Sequence, residues 1–515
     1  MGRSALFSIV LCAAGCGSAG GLPIRVETDA GGSGAVVPSD GGLPDGGDGG
    51  APDAGPDAGA PDSGPPDAGP PGGGDWGQYR HDAHGASENP GIFAASEVAS
   101  LRAAWPPLEL GQYVYTQAVA AEGIVVYTTA FTGRVIAVDE ATGTERWRRE
   151  DLTAPISTAC GGPKKPGYWA AAAVVGGVVY AASPDGNAYA LHALDGNKIW
   201  SARIADPTPA GHGEFVQSSP AVSTALGRMY LGVASSAHCD EVAGRIVAVD
   251  LGTGAVQSKA LVGAGQQGGT IWSSIAVAEE EDRLYATTGN RIGPASAEPY
   301  AQAFLALDPR TLEVVDSWQN PTSLENADFG SSPALVDAPG LKLVAATSKD
   351  GNLYVLRRDR LSAGPLWTFP IAVVDPDKPA EGGDPTAGWG SISTPAVSRG
   401  KLYAAGGRTA ISGGHPGSVV AFDPATGPVP LWTHFTPGYV IAPVAAVGEI
   451  LAVESSAPDG TASWLEILDA KDGKLLRSFD GQIATYAGPS IAHGLIFWTD
   501  AFGHAVALGV PGYRP

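Results

Sequence analysis

Basic residues are scarce in this chain. Lys and Arg number 31 against 53 Asp and Glu, a formal charge of −22 at pH 7. That balance argues against a protein that holds nucleic acid through its phosphates, which takes clustered positive charge. Long apolar runs are also lacking: beyond the first fifteen residues no stretch is long and apolar enough for a transmembrane helix. Only 4 cysteines occur. No C-x-x-C-H stretch is among them, which excludes a fused c-type haem domain. Glycine and proline are plentiful, 73 and 42 residues, as a chain with many turns and one biased linker requires.

What the chain has is a repeat. Residues 133–147, GRVIAVDEATGTERW, read as an alternating strand, a tight turn and a second strand closed by Trp147. Val135, Ala137 and Asp139 point one way, Ile136 and Val138 the other. Asp139, Thr142 and Gly143 stop the strand. Related stretches begin at Gly186, Gly244, Ala303, Gly351, Gly417, Gly460 and Gly503. Each follows a second hairpin with its own signature, as in SSPAVS from Ser218, SSPALV from Ser331 and STPAVS from Ser393. The units number eight at a spacing of roughly fifty residues. The last lacks its outermost strand, and residues 98–108, VASLRAAWPPL, supply a spare one with Trp105 at the closing aromatic position. A ring explains both facts and leaves no edge open. The expected fold is therefore all-β, an eight-bladed β-propeller whose N-terminal strand completes the last blade. A sandwich of unrelated hairpins has no reason to keep eight copies in register.

The domain plan follows. Residues 1–15 read as a targeting segment: Arg3 gives a short positive start, followed by an apolar run. The run ends in Ala-Ala-Gly-Cys, which resembles a bacterial lipobox with Ala13 where Leu is usual. On that reading Cys16 becomes the lipidated first residue of a membrane-anchored lipoprotein. The other reading is an ordinary secretory signal cut nearby, and both make the protein exported. Residues 16–74 form a Gly/Pro/Asp-rich tether with almost nothing to bury. Residues 75–515 are the propeller.

Residues 75–90, DWGQYRHDAHGASENP, carry a Trp, a His-Asp and an Asn-Pro ahead of a Trp-ended strand. This resembles the opening of PQQ-type propeller proteins, and the repeated AxD-x-x-TG-x-x-x-W resembles their repeat. The resemblance covers residues 76–515. That superfamily includes quinoprotein alcohol dehydrogenases, polyvinyl-alcohol-dehydrogenase-like proteins and the lipoprotein of the outer-membrane β-barrel assembly machinery. The repeat is specific for the fold, because its residues serve blade packing.

Activity has to be sought in loops. In a blade with strands A to D running outward, the loop into A and the loop from B to C share one face. GGTIWSS places Trp272 there, TTGN places Asn290, NADFGSSP places Asp328, SKDG places Lys349 and GWGS places Trp389. A ring, an amide, a carboxylate and an ammonium suit a flat, anionic, metal-assisted cofactor. The resemblance to quinoprotein alcohol dehydrogenases implies roles for each. Trp272 matches the floor under PQQ, Asn290 an oxygen donor to Ca²⁺, Asp328 the base, and Lys349 the cation at the quinone. It implies proton removal by Asp328 and hydride transfer to a quinone carbonyl polarised by Ca²⁺ and Lys349. Departures exist. The adjacent-cysteine disulfide of many such enzymes is absent, and Gly388 precedes Trp389 where Asn is frequent. The Glu ligand has no clean match, the nearest acids being Asp240 and Glu241. WSS, TTGN and DFGSSP are nearer to the polyvinyl-alcohol-dehydrogenase-like proteins.

Each residue also has a plain structural role open to it. Trp272 packs blades together, Asn290 caps a turn, Asp328 binds loop amides and Lys349 is a solvated loop lysine. Cys160 and Cys239 fall in loops of the same face, and an oxidising compartment favours a disulfide between them. With His238 they make only a weak metal pattern, since no C-x-x-C is present. Two functions remain. One is a PQQ- and Ca²⁺-dependent dehydrogenase acting on a small or polymeric alcohol. The other is a non-catalytic scaffold for envelope proteins.

Overall fold

Short connections make each strand pair antiparallel with its sequence neighbour, and the repeat therefore folds as a series of small sheets. The computed structural model describes residues 74–512, apart from 90–92, 112, 154–155, 158–162, 165–166, 209–212, 236–241, 412 and 483–485. The expected leader, Cys16 and the tether lie outside the described residues, as do Cys160, Cys239, Asp240 and Glu241. Among the described residues no helix is long and apolar enough to cross a membrane.

Eight sheets form the expected propeller. Blade 1 shows the pattern, with strands Val119–Ala121, Ile124–Thr128, Val135–Asp139 and Glu145–Arg149 paired in sequence order. Both faces of such a strand are buried, each against a different neighbour. Val135 and Ala137 pack with blade 2, through Val179 and Leu191. Ile136 and Val138 pack with blade 8, through Ile496 and Leu508.

Ring closure is as the sequence predicts. In blade 8 the strand His504–Gly509 pairs with the N-terminal Arg102–Ala103, Arg102 opposite Gly509, and again with Leu108–Glu109. The closing aromatics have a shared function. Trp105 Nε1 donates to the Glu140 carbonyl of blade 1 at 3.2 Å, and Trp147 Nε1 donates to the Ala193 carbonyl of blade 2 at 2.8 Å. Trp200, Trp367 and Trp432 make the same bond to the following blade. The outer-strand indole thus clips each of these blades to the next. Gly143 shows what the clip demands: its φ is +69°, and a Cβ there would lie 2.7 Å from Trp105 Cδ2.

The serine signature forms a second belt. Ala171 N donates to Ser219 Oγ, Ser219 N to Ser274 Oγ, Ser274 N to Ser332 Oγ, and Ser332 N to Thr394 Oγ1, at 2.8–3.0 Å. These hydroxyls satisfy backbone donors that sheets leave unpaired at the inner edge.

The inner edge is closed further by residues 76–89. Trp76 exchanges backbone bonds with Ala120 of blade 1, and the Gly77 carbonyl accepts from Val174 N of blade 2. The Gln78 side chain bonds both backbone groups of Val222 in blade 3. The Ala83, Ala86 and Ser87 carbonyls accept from Val277, Val397 and Ala446 of blades 4, 6 and 7. Arg80 Nη1 reaches the Pro333 carbonyl ahead of blade 5 at 2.7 Å, and Asn89 Nδ2 reaches the Ile491 carbonyl of blade 8 at 2.9 Å. One segment therefore touches all eight blades and stitches the axis.

Candidate functional site

The loops into each inner strand and out of each second strand open on one face, called the upper face here. Trp272 leads into Ala276–Ala278 of blade 4, and Asn290 follows Arg283–Thr287 of the same blade. Asp328 leads into Ala334–Ala338 of blade 5, and Lys349 follows its Leu341–Thr347. Close packing fixes the indole, since a Cβ on Gly330 would lie 2.1 Å from Trp272 Cη2. Glycine is required at 330 so that the loop carrying Asp328 can pass the ring.

Three of the predicted residues converge. Trp272 Nε1 donates to Asp328 Oδ2 at 2.7 Å. Lys349 Nζ lies 2.8 Å from Asp328 Oδ1 and 5.0 Å from the centroid of the Trp272 ring. Asp328 and Lys349 are both buried, 3% and 5% exposed, so their pairing is a condition of burying either charge. Asp328 Oδ1 makes this ionic contact with no directed hydrogen bond.

Asn290 joins at one remove through Asn326, which the sequence analysis did not single out. Asn326 Oδ1 accepts from Asn290 Nδ2 at 2.7 Å and from Lys349 Nζ at 3.3 Å. Asn290 Oδ1 accepts from Gln302 Nε2 at 3.3 Å. Gln302 is wholly buried at φ +50°, and its Oε1 is left without a partner. A strained glutamine and an unsatisfied oxygen behind Asn290 are what functional sites tend to store.

Trp389 stands apart. Its ring lies under the Arg408 guanidinium, 4.8 Å from the centroid, and its backbone N–H bonds the Asp384 carbonyl. Only the glycine after it reaches the group: a Cβ on Gly390 would lie 2.4 Å from the Lys349 carbonyl. Asp240 and Glu241, the acids predicted to complete a metal site, are outside the described residues. So are Cys160 and Cys239.

An apolar wall completes the surroundings. Ile392, Tyr439 and Ile441 form a buried cluster against which Trp272 and Tyr486 both pack. Burial raises the Tyr439 and Tyr486 hydroxyls above the usual phenol range, so both stay neutral.

Comparison with known proteins places this chain in a family. Residues 94–359 match the protein-family profile described as "Outer membrane protein assembly factor BamB". A quinohemoprotein alcohol dehydrogenase, ADH IIB of Pseudomonas putida, is 28% identical over 276 residues, 45% of this chain. That alignment spans only 38% of the enzyme's own length. Among solved structures, a europium-containing methanol dehydrogenase superposes with a TM-score of 0.63 at 16% identity, over 84% of this chain and 90% of that one. BamB from Moraxella catarrhalis gives 0.51 at 16% identity, over 81% and 99%. At these identities the structures testify to the fold alone. By its sequence profile, its repeat and its eight-bladed ring, the chain belongs to the PQQ-like β-propeller family.

Proposed function

We propose that the upper face binds PQQ beside Trp272 and that the protein oxidises an alcohol with Asp328 as the base. The observation that carries this reading is the convergence of an indole and an ammonium on one buried carboxylate. The chemistry of the set suits a planar anionic quinone: Trp272 offers a partly exposed ring, and Lys349 a cation beside it. When bound, PQQ supplies an electrophilic carbonyl that takes up the two electrons and the hydrogen leaving the alcohol carbon.

The protein's own part is proton handling and positioning. Asp328 takes the hydroxyl proton at Oδ1, the oxygen that also meets the Lys349 ammonium. The Trp272 N–H holds Oδ2 and so aims the other oxygen. Lys349 pairs with the carboxylate in a buried place and stabilises alkoxide character as the proton leaves.

The described donors do not fit Ca²⁺, which takes roughly six to eight oxygen ligands. The oxygens of Asp328 and Asn326 meet the Lys349 ammonium, and that of Asn290 meets Gln302.

Isothermal titration of the full chain with PQQ, in Ca²⁺ and in EDTA, tests the reading. Saturable micromolar binding is expected, lost in Trp272→Ala and kept in Asp328→Asn, with dye reduction by alcohols lost in Asp328→Asn. Absence of PQQ binding in both buffers overturns it. The profile match to an assembly factor favours a second reading, an exported, lipid-anchored scaffold offering this face to envelope proteins. On that reading neither PQQ nor alcohols bind.

A further inference from the structure

The upper face is chemically two-sided. Blades 4 and 5 bring the polar group around Asp328. The opposite side, from blades 8, 1 and 2, is aromatic. Tyr113 and Tyr115 lead into blade 1, Trp169 into blade 2 and Tyr486 into blade 8, while Phe131 and Phe502 follow the second strands of blades 1 and 8.

These six rings form one connected cluster. Tyr115 lies 4.9 Å from Trp169, 5.9 Å from Tyr486 and 5.8 Å from Tyr113, between ring centroids. Tyr113 lies 5.2 Å from Phe131 and 6.1 Å from Phe502. Scattered surface aromatics are ordinary, but a contiguous exposed group of them marks a binding surface. Here Phe131 and Phe502 are 38% and 40% exposed, and the other four partly so. Phe131 is held at φ +62°, a left-handed conformation that costs a bulky residue energy and keeps its ring on the cluster.

The wall is continuous with the site. Tyr486, at its inner end, packs against the buried cluster of Ile392, Tyr439 and Ile441, and Trp272 packs against the same cluster. The rings are thus joined, through one buried cluster, to the indole that holds Asp328.

We infer that this wall holds the body of the substrate, and that the substrate class is alcohols bearing an aromatic ring or an extended hydrocarbon group. The inference rests on the redox reading only in placing the hydroxyl at Asp328. Several rings meet edge to face, Tyr115 with Tyr486 at 85° and Tyr113 with Phe131 at 77°. Rings set at such angles present edges and faces together, not the single flat platform on which sugars stack. Burial pushes the Tyr115 hydroxyl up to about 12 and that of Tyr486 up as well, which leaves these two neutral.

Isothermal titration of the full chain with cinnamyl alcohol, ethanol and glycerol, with and without PQQ, tests this. Cinnamyl alcohol is expected to bind at least about tenfold tighter than the other two, as burial of a ring predicts. Trp169→Ala and Tyr115→Ala should each weaken it by about tenfold without changing PQQ affinity, and Tyr115→Phe, which keeps the ring, should restore it. Equal affinity for the three alcohols overturns the inference, as does tight binding indifferent to both alanine variants. If cinnamyl alcohol binds through the wall while PQQ fails to bind, the redox reading falls and the wall stands. If PQQ binds while cinnamyl alcohol shows no preference, the wall falls and the redox reading stands.

Discussion

Trp272 donates its indole N–H to Asp328 at 2.7 Å, and the other oxygen of that carboxylate lies 2.8 Å from Lys349 Nζ. Because the aspartate and the lysine are both buried, each is the other's solvent. Lys349→Met leaves the Asp328 charge uncompensated and should cost about 3–5 kcal/mol. Adding Asp328→Asn removes the orphaned charge, so the double variant should be more stable than Lys349→Met alone. Urea unfolding of the two single variants and the double variant gives the coupling. A lysine that was merely solvated would show none.

Trp105 makes a parallel case at the ring seam. Its indole comes from the N-terminal strand, is 5% exposed and seats on Gly143 of blade 1. Trp105→Ala should lose about 3–5 kcal/mol, the usual cost of emptying an indole site. Gly143→Ala should lose at least about 1 kcal/mol, since it adds a Cβ at φ +69° against the ring. Thermal melts of both variants check this. Equal stability to wild type would mean that the clip does not hold the ring shut.

Much of this was legible in the sequence because a ring of like blades asks for like residues. The indole that clips one blade to the next recurs as a closing Trp, and the hydroxyl belt recurs as SSP and STP. Trp272, Asp328 and Lys349 were found because loop position alone sets them on one face. Asn326 was missed two residues from Asp328, since loop spacing does not say which side chain turns inward. The segment 76–89 had no period because most of its bonds go to the backbone of inner strands, and backbone leaves no residue signature. The aromatic wall left a trace, a ring in both upper loops of blades 8 and 1 and in the loop leading into blade 2. Its members are spread from Tyr113 to Phe502, and only ring closure brings them together.

Arg80 tests the stitched axis. It is 1% exposed, holds φ +61°, and donates to the carbonyls of Gly85, Pro333 and Ile275 at 2.9, 2.7 and 3.4 Å. Burial pulls its guanidinium down to about 10, still charged at neutral pH. Arg80→Met keeps the apolar stem but leaves these carbonyls short of donors. A loss of about 3 kcal/mol or more is expected in chemical denaturation. Hydrogen exchange should rise at the inner strands, whose middle residues bond to residues 76–89. A change confined to residues 74–89 would show that the blades do not depend on the segment.

His493 sets the pH dependence of the same seam. It sits after the inner strand of blade 8, with Nδ1 2.9 Å from Glu140 of blade 1 and Nε2 3.3 Å from Asp75. The hydrogen bond to Glu140, then the charges of Glu140 and Asp75, raise its pKa above the ordinary 6.5, against a smaller opposing effect of burial. A base with a raised folded pKa stabilises fully below its unfolded pKa and loses that contribution as pH rises through the folded one. The stability difference between wild type and His493→Gln should therefore be largest below pH 6.5. It should shrink as pH climbs past the folded value, for a part-exposed pair worth up to about 1 kcal/mol. Melting curves from acid to mildly alkaline buffers measure it. A difference that is flat with pH, or that grows toward alkaline pH, would show that His493 holds the seam as a neutral ring and that the Glu140 contact carries no charge.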